Sequence, residues 1–344
     1  MLVTADSKVT RHPFTPAPGA TADAPATSSP PAYTVARPFG ERVVRLVDPR
    51  LGIISEIREA GHRQAPIHVS EAEVRRPGHP TGTPIRLVAA GETLSEARAT
   101  VARKALEWYA AHCFDERLTD GPDAARAPGI RVVTGRRLSD DNPVPLRVNE
   151  VFELTPTPSP AVPAGVGSGE SWSDAVLAGL LSRVCQLATA AVGHEPVPPL
   201  ALRAMTANSD IRIALTELTA AGLQADLCDL TSHSGIPTVG VVADGSLAAV
   251  ASDVSLVGAV RAAVRAAVLR QQSALDTAIP AATSGVVLPV RLGAAPIRPS
   301  ADVSLSGAVH ALEAKGLIPV AADLDHDPAI SDALPYVVRV VLHG

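Results

Sequence analysis

The chain's polar and apolar positions first fall into a regular pattern at Gly91–Tyr109, GETLSEARATVARKALEWY. A polar turn opens a run whose apolar residues return every three or four positions, the spacing of an amphipathic helix over about Leu94 to His112. Thr93 and Glu96 have the spacing of a capping box, in which side chains satisfy the first free amides of a helix. The same device recurs at Gly169–Ala175, where GESWSDA stands against GETLSEA. Ser171 and Asp174 are its shorter-armed version, and a second helix is predicted from about Trp172 to Val192.

Between and around these helices the pattern shortens to strands. VVRLVDPRLGIISEI reads as two short strands around an Asp-Pro turn, and Pro66–Val69, Ile85–Ala89, Ile130–Thr134 and Val144–Phe152 as further ones. Two more repeats follow. Asp253–Val260 (DVSLVGAV) matches Asp302–Val309 (DVSLSGAV), each opening a helix with Asp or Ser as cap. Leu218–Gly222 parallels Leu312–Gly316: a glycine ends a helix and an apolar strand then leads to Asp229-Leu230 or Asp323-Leu324. A second strand closes each unit, Ile236–Val242 and Tyr336–Leu342. The expected fold is α+β, built from internally repeated helix and strand units.

Composition narrows the functional classes. Residues 1–37 are rich in Pro, Ala, Thr and Ser and carry too little bulky apolar surface to offset ordering entropy, so a disordered arm is expected before a domain over 38–344. A formal charge of -5, with arginines scattered singly and in pairs, argues against nucleic acid. Cys113, Cys185 and Cys228 lie far apart with no CxxC pair, which fits neither a zinc knuckle nor a disulfide framework. The start MLVTADSKVTRH lacks the apolar core of a secretory signal, and Arg261 and Arg265 interrupt the longest Ala/Val run. No membrane partner and a cytoplasmic location are expected.

The order of these stretches resembles the YcaO family. DPRLGIIS, GETLSEARATVARKALEWY, TGRRLSDDNPVPLRVNEVF, GSGESWSDAVLAGLLSRV, GLQADLCDLTSHSGIPTVGVV, the helix from Gly258 to Leu269, and GLIPVAADLDHDPAISDALPYVVRVV follow one another over residues 43–344. The resemblance implies ATP-dependent activation of peptide backbone amides, forming azolines, thioamides or amidines in ribosomal peptide natural products. It also implies ATP held through magnesium by clustered carboxylates. In the first helix the family shows a serine, a glutamate four residues on, another after three more, then an arginine; here those positions are Thr100, Lys104, Glu107 and Trp108. In the second helix its two glutamates and arginine correspond to Ser182, Cys185 and Gln186, and in the third its glutamate and glutamine to Ala266 and Leu269. No Asp or Glu lies between Asp174 and Glu195 or between Asp253 and Asp276. The family's azoline-forming members tend to end in a proline-rich tail, whereas this sequence ends Val341-Leu342-His343-Gly344.

Thr100 and Glu107 are therefore read as remnants of a nucleotide–metal site, and Lys104, Ser182, Cys185 and Ala266 as substituted positions. The expectation is a non-catalytic accessory or scaffold subunit that holds no metal and acts through a precursor peptide. Its protein partner would be an active YcaO or leader-peptide-binding protein, or a second copy. The alternative is an active cyclodehydratase, with ATP and magnesium held by other groups such as Asp323, Asp325 and Asp327. A small-molecule enzyme with a closed apolar pocket between the repeated helices is a third reading. Two weaker constellations remain. Gly165, Gly167 and Gly169 could cradle phosphate on backbone amides, and His233 beside Ser234 could serve nucleophilic catalysis. Loop flexibility and a turn histidine are the plainer readings of these two.

Overall fold

A computed structural model describes residues 38–60, 65–77, 83–115, 131–155, 159–192, 196–201, 206–274, 288–293 and 302–344. Within the expected arm it describes only the backbone of two paired strands, β1 (Leu2–Val3) and β2 (Val9–Thr10); the rest of that arm lies outside the described residues. The first expected strand is not one. Phe39–Val43 forms helix α1 and Val44–Leu46 a turn of 3-10 helix before strand β3 (Ile54–Glu59). Val43 and Leu46 are buried while Val44 is 67% exposed, so this run has the three-residue period of a helix and not the alternation of a strand.

Three antiparallel sheets carry the rest. β3 pairs with β4 (His68–Val74), and β4 with β5 (Ile85–Gly91), in the order β3-β4-β5. Helix α2 (Leu94–His112) returns from β5 across this sheet. A five-stranded sheet runs β7-β6-β12-β13-β8, formed by β6 (Val132–Arg137), β7 (Pro143–Arg147), β8 (Val166–Gly169), β12 (Ile318–Asp323) and β13 (Tyr336–His343). Pro143 and Pro145 lack amide hydrogens on the outer strand β7, which blunts that edge. The expected strand from Val144 to Phe152 stops at Arg147, and Val148–Val151 forms the short helix α3. Helix α4 (Trp172–Ala191) packs on β8 and β13.

The third sheet, β11-β10-β9, comprises β9 (Ala225–Asp229), β10 (Thr238–Ala243) and β11 (Ser246–Ser252). Around it lie α5 (Ser209–Ala220) and α6 (Leu256–Ala274), and α6 also reaches β5. α7 (Leu305–Glu313) lies against β12, and α8 (Pro328–Ala333) lies between β12 and β13.

The two GE-hydroxyl turns have one geometry. Thr93 (φ -124°, ψ 158°) and Ser171 (φ -122°, ψ 158°) each accept the amide three residues on at 3.1 Å. Glu96 reaches back to the Glu92 amide at 2.9 Å; the shorter Asp174 instead accepts the Ser171 hydroxyl at 2.7 Å. At the other end, Gly222 (φ 76°) and Gly316 (φ 78°) take the left-handed conformation after α5 and α7. Leu223 and Leu317 then donate back to Leu218 and Leu312, both at 3.0 Å.

Candidate functional site

α2 lies between two sheet edges and carries a cluster of partly buried charged side chains. Lys104 Nζ donates to the Val88 carbonyl of β5 at 3.4 Å. One turn on, Glu107 Oε1 accepts the Ser168 hydroxyl of β8 at 2.6 Å, and Arg103 Nη1 lies 3.4 Å from the same hydroxyl. The Arg103 guanidinium also stands 4.9 Å over the Phe39 ring of α1. Burial raises the Glu107 carboxyl above its usual range, opposed by the Ser168 hydrogen bond and the charges of Arg103 and Lys104. Burial lowers Lys104, opposed by Glu107. Thr100 lies on the same helix, partly buried.

The substituted positions of the other helices have partners of their own. Ser182 Oγ accepts the Gly165 amide at 3.2 Å, and Cys185 Sγ donates to the Val250 carbonyl of β11 at 3.1 Å. Burial pushes the Cys185 thiol up to about 11 and Cys228 to about 12, so neither is a thiolate at neutral pH. Ala266 is exposed on α6, while Leu269 is buried. Trp108, at the position compared with the family's arginine, is fully buried; its indole donates to the Ser159 carbonyl at 2.9 Å.

The alternative acidic set is also dispersed. Asp323 and Asp325 are exposed, but Asp327 turns inward, caps α8 through the Ala329 amide at 2.9 Å and accepts the Tyr109 hydroxyl at 3.0 Å. Its neighbour His326 is buried beside Phe152 (4.5 Å) and Phe114 (5.9 Å), and its Nδ1 accepts the Asp115 amide at 3.1 Å. Burial holds this ring below its ordinary 6.5, against the charges of Asp325 and Asp115. A base whose folded value is depressed takes up its proton first in the unfolded chain. Its stabilisation is therefore complete above about 6.5 and is lost as pH falls. His326→Gln keeps an acceptor for Asp115 and removes the titration. Thermal melts should show the wild-type advantage over this variant shrinking between neutral pH and about pH 5. A constant difference would show that His326 does not sit there neutral.

The glycine run and Ser234 have structural tasks. A Cβ on Gly167 would lie 2.5 Å from the Ala175 carbonyl oxygen and closer still to the Gly179 amide, so β8 presses its backbone against that of α4. These glycines let β8 and α4 pack backbone to backbone. Ser234 is fully buried; its hydroxyl accepts the Ile236 amide at 3.1 Å and donates to the Ile236 carbonyl at 3.4 Å.

Sequence reasoning missed Ser168 and Arg103, which complete the α2 cluster. The signal was available for Arg103, one position before Lys104, but Ser168 becomes a partner only through the approach of β8 to α2. An open groove of about 890 Å³ lies elsewhere, lined by residues of α5, β9 and β10 and of the turns after α5 and β10, among them Leu223, Asp226 and Asp244, and none of the α2 or α4 positions borders it.

The donor set does not fit a magnesium–nucleotide site. Among the described residues no three His, Cys, Asp or Glu side chains group as metal ligands. Magnesium takes six oxygen ligands in strict geometry, and this cluster offers one carboxylate flanked by two cations.

Comparison with known proteins gives the context. The model of the YcaO cyclodehydratase family, described as ATP- and Mg2+-binding, matches residues 78–275, more than half of the chain. An uncharacterized protein of Methanothermobacter thermautotrophicus is 28% identical over 181 residues, covering 46% of this chain and 47% of that protein. The chain thus spans about half the length of the curated relative it matches. Among solved structures, YcaO from Methanopyrus kandleri bound with AMPPCP and Mg2+ superposes with a TM-score of 0.61 at 19% identity, over 88% of this chain and 87% of that one. A heterocyclase in complex with substrate and cofactor gives 0.61 at 17%, over 89% and 52%. The E. coli microcin synthetase McbBCD complex with pro-MccB17 bound gives 0.51 at 13%, over 83% and 87%. At these identities the likeness is one of fold.

Proposed function

This chain belongs to the YcaO family, and we propose that it is a member without nucleotide chemistry, serving ribosomal peptide maturation as an accessory or scaffold subunit. The observation that carries this reading is the state of Glu107. It is the one carboxylate at the compared positions, and it is already engaged by Ser168 and balanced by Arg103 and Lys104. Two magnesium ions beside a triphosphate need several free carboxylate and water oxygens, and an adjacent ammonium repels them. The remaining compared positions, Ser182, Cys185 and Ala266, carry no charge.

A subunit of this kind contributes surface in place of chemistry. Its partners on this reading are a precursor peptide and an active YcaO or leader-peptide-binding protein, or a second copy of itself. That the microcin synthetase relative is a multi-subunit complex with a bound precursor supports the reading. Residues 38–344 would form the working domain, in the cytoplasm. One described helix, α4, is long and apolar enough to cross a membrane by length and composition, but it packs on β8 and β13.

Isothermal titration with millimolar Mg-ATP should register no specific binding. Stoichiometric binding, or ATP consumption that depends on precursor peptide, would overturn the proposal and favour the active cyclodehydratase.

A further inference from the structure

We propose that the turn between α1 and β3, with the two segments tied to it, is a docking surface for an acidic, apolar-bearing segment of the precursor peptide. The inference rests on the reading above for its partner and adds where that partner is held. Three segments meet here through backbone acceptors. Asp48 closes the turn, its Oδ1 accepting the Arg50 and Leu51 amides, both at 2.7 Å. Arg75, just past the end of β4, donates to the Pro49 carbonyl and, at 3.3 Å, to the Arg50 carbonyl. Its neighbour Arg76 donates to the Thr155 carbonyl at 2.7 Å, which brings the segment after α3 to the same place.

Of the five large apolar side chains exposed among the described residues, three lie on these segments: Val44 (67%), Leu51 (39%) and Leu154 (48%). Apolar residues scattered singly over a surface are ordinary, whereas a concentration of them marks a contact. The same segments, 44–51, 75–76 and 153–155, carry Arg45, Arg50, Arg75 and Arg76 against Asp48 and Glu153, a positive balance in a chain of formal charge -5. Among the described residues, Arg45, Arg50 and Arg75 have no carboxylate at ion-pair distance; Asp48 feels the charges of Arg50 and Arg75 but spends its Oδ1 on the turn amides. A guanidinium anchored on neutral carbonyls, as Arg75 is, keeps its full charge and has further N–H donors to offer. Charge complementarity therefore selects an acidic partner and guides its approach. Covering Val44, Leu51 and Leu154 supplies affinity that charge alone does not. A polyphosphate would meet the arginines and leave these side chains wet, so the surface fits a polypeptide.

The test uses the full chain and a short fluorescein-labelled peptide of interspersed glutamates and leucines, read by anisotropy. The peptide should bind saturably and weaken as salt is raised. Arg45→Glu combined with Arg50→Glu should weaken binding about tenfold or more, and Leu51→Ser combined with Leu154→Ser about tenfold. All four side chains are exposed, so melting midpoints should stay at the wild-type value. A peptide with serine in place of leucine should bind about tenfold more weakly. Absence of binding, or equal binding by the serine peptide, would overturn the inference, as would unchanged affinity in either double variant. Phosphatidylglycerol vesicles that bind, and lose binding in both variants, while the peptide does not bind would assign the surface to anionic lipid and overturn it too. Failure of the wider reading shows differently, as Mg-ATP binding by the wild-type protein.

Discussion

Gly167→Ala is expected to lower stability by about 3 kcal/mol or more, at the upper end of overpacking costs, and Gly167→Val should leave little soluble protein. The reason is the identity of the atoms in the way. A methyl group there would meet the Ala175 carbonyl at 2.5 Å, the Ala178 carbonyl carbon at 2.8 Å and the Gly179 amide. These belong to the backbone of α4, which cannot rotate aside as a side chain would. Moving α4 outward would open the core it shares with β13, where Val176, Leu180, Val338 and Val340 are buried together. Gly222→Ala is the control. Gly222 has φ 76° but open space around it, so that substitution should cost only about 1–2 kcal/mol of left-handed backbone strain. Urea midpoints of the two variants decide the matter. Equal costs would mean that β8 and α4 do not approach so closely.

The same contact shows which features can be read from one sequence. Capping is local chemistry, and α2 runs over Leu94–His112 as its pattern predicts. α4 starts at Trp172 and stops one residue short of its expected end. The left-handed glycines after α5 and α7 are equally local. The run Val43–Val47 is not, because five residues with apolar character at most positions fit either period until burial selects one. The DLDHD turn held a hidden element: Asp327 and Pro328 are an N-cap followed by a helix-opening proline, the signature of α8. At the candidate site, Lys104 and Glu107 could be placed on one helix face from their spacing. Their partners Val88 and Ser168 come from separate sheets, brought together only by tertiary packing.

Trp108→Ala should lose about 3–5 kcal/mol, read as a drop in denaturant midpoint. The ring is fully buried, stacks on His112 at a centroid distance of 4.0 Å, and anchors the Ser159 carbonyl through its N–H. Trp108→Phe keeps most of the packing and leaves that carbonyl without its donor, so about 1–2 kcal/mol should be lost. Trp108→Arg is the variant that speaks to function, since arginine stands at the compared position in the family pattern. If the cleft were an intact nucleotide site lacking one side chain, this substitution would be tolerated and would raise affinity for Mg-ATP. The packing argues the reverse. The position faces a core that includes Leu106, Phe152 and Val151, where a guanidinium would lose its hydration among apolar side chains. Trp108→Arg should therefore unfold the domain. A folded Trp108→Arg variant that binds Mg-ATP would overturn the non-catalytic assignment, because it would show that the site was one residue from function and not refilled as core.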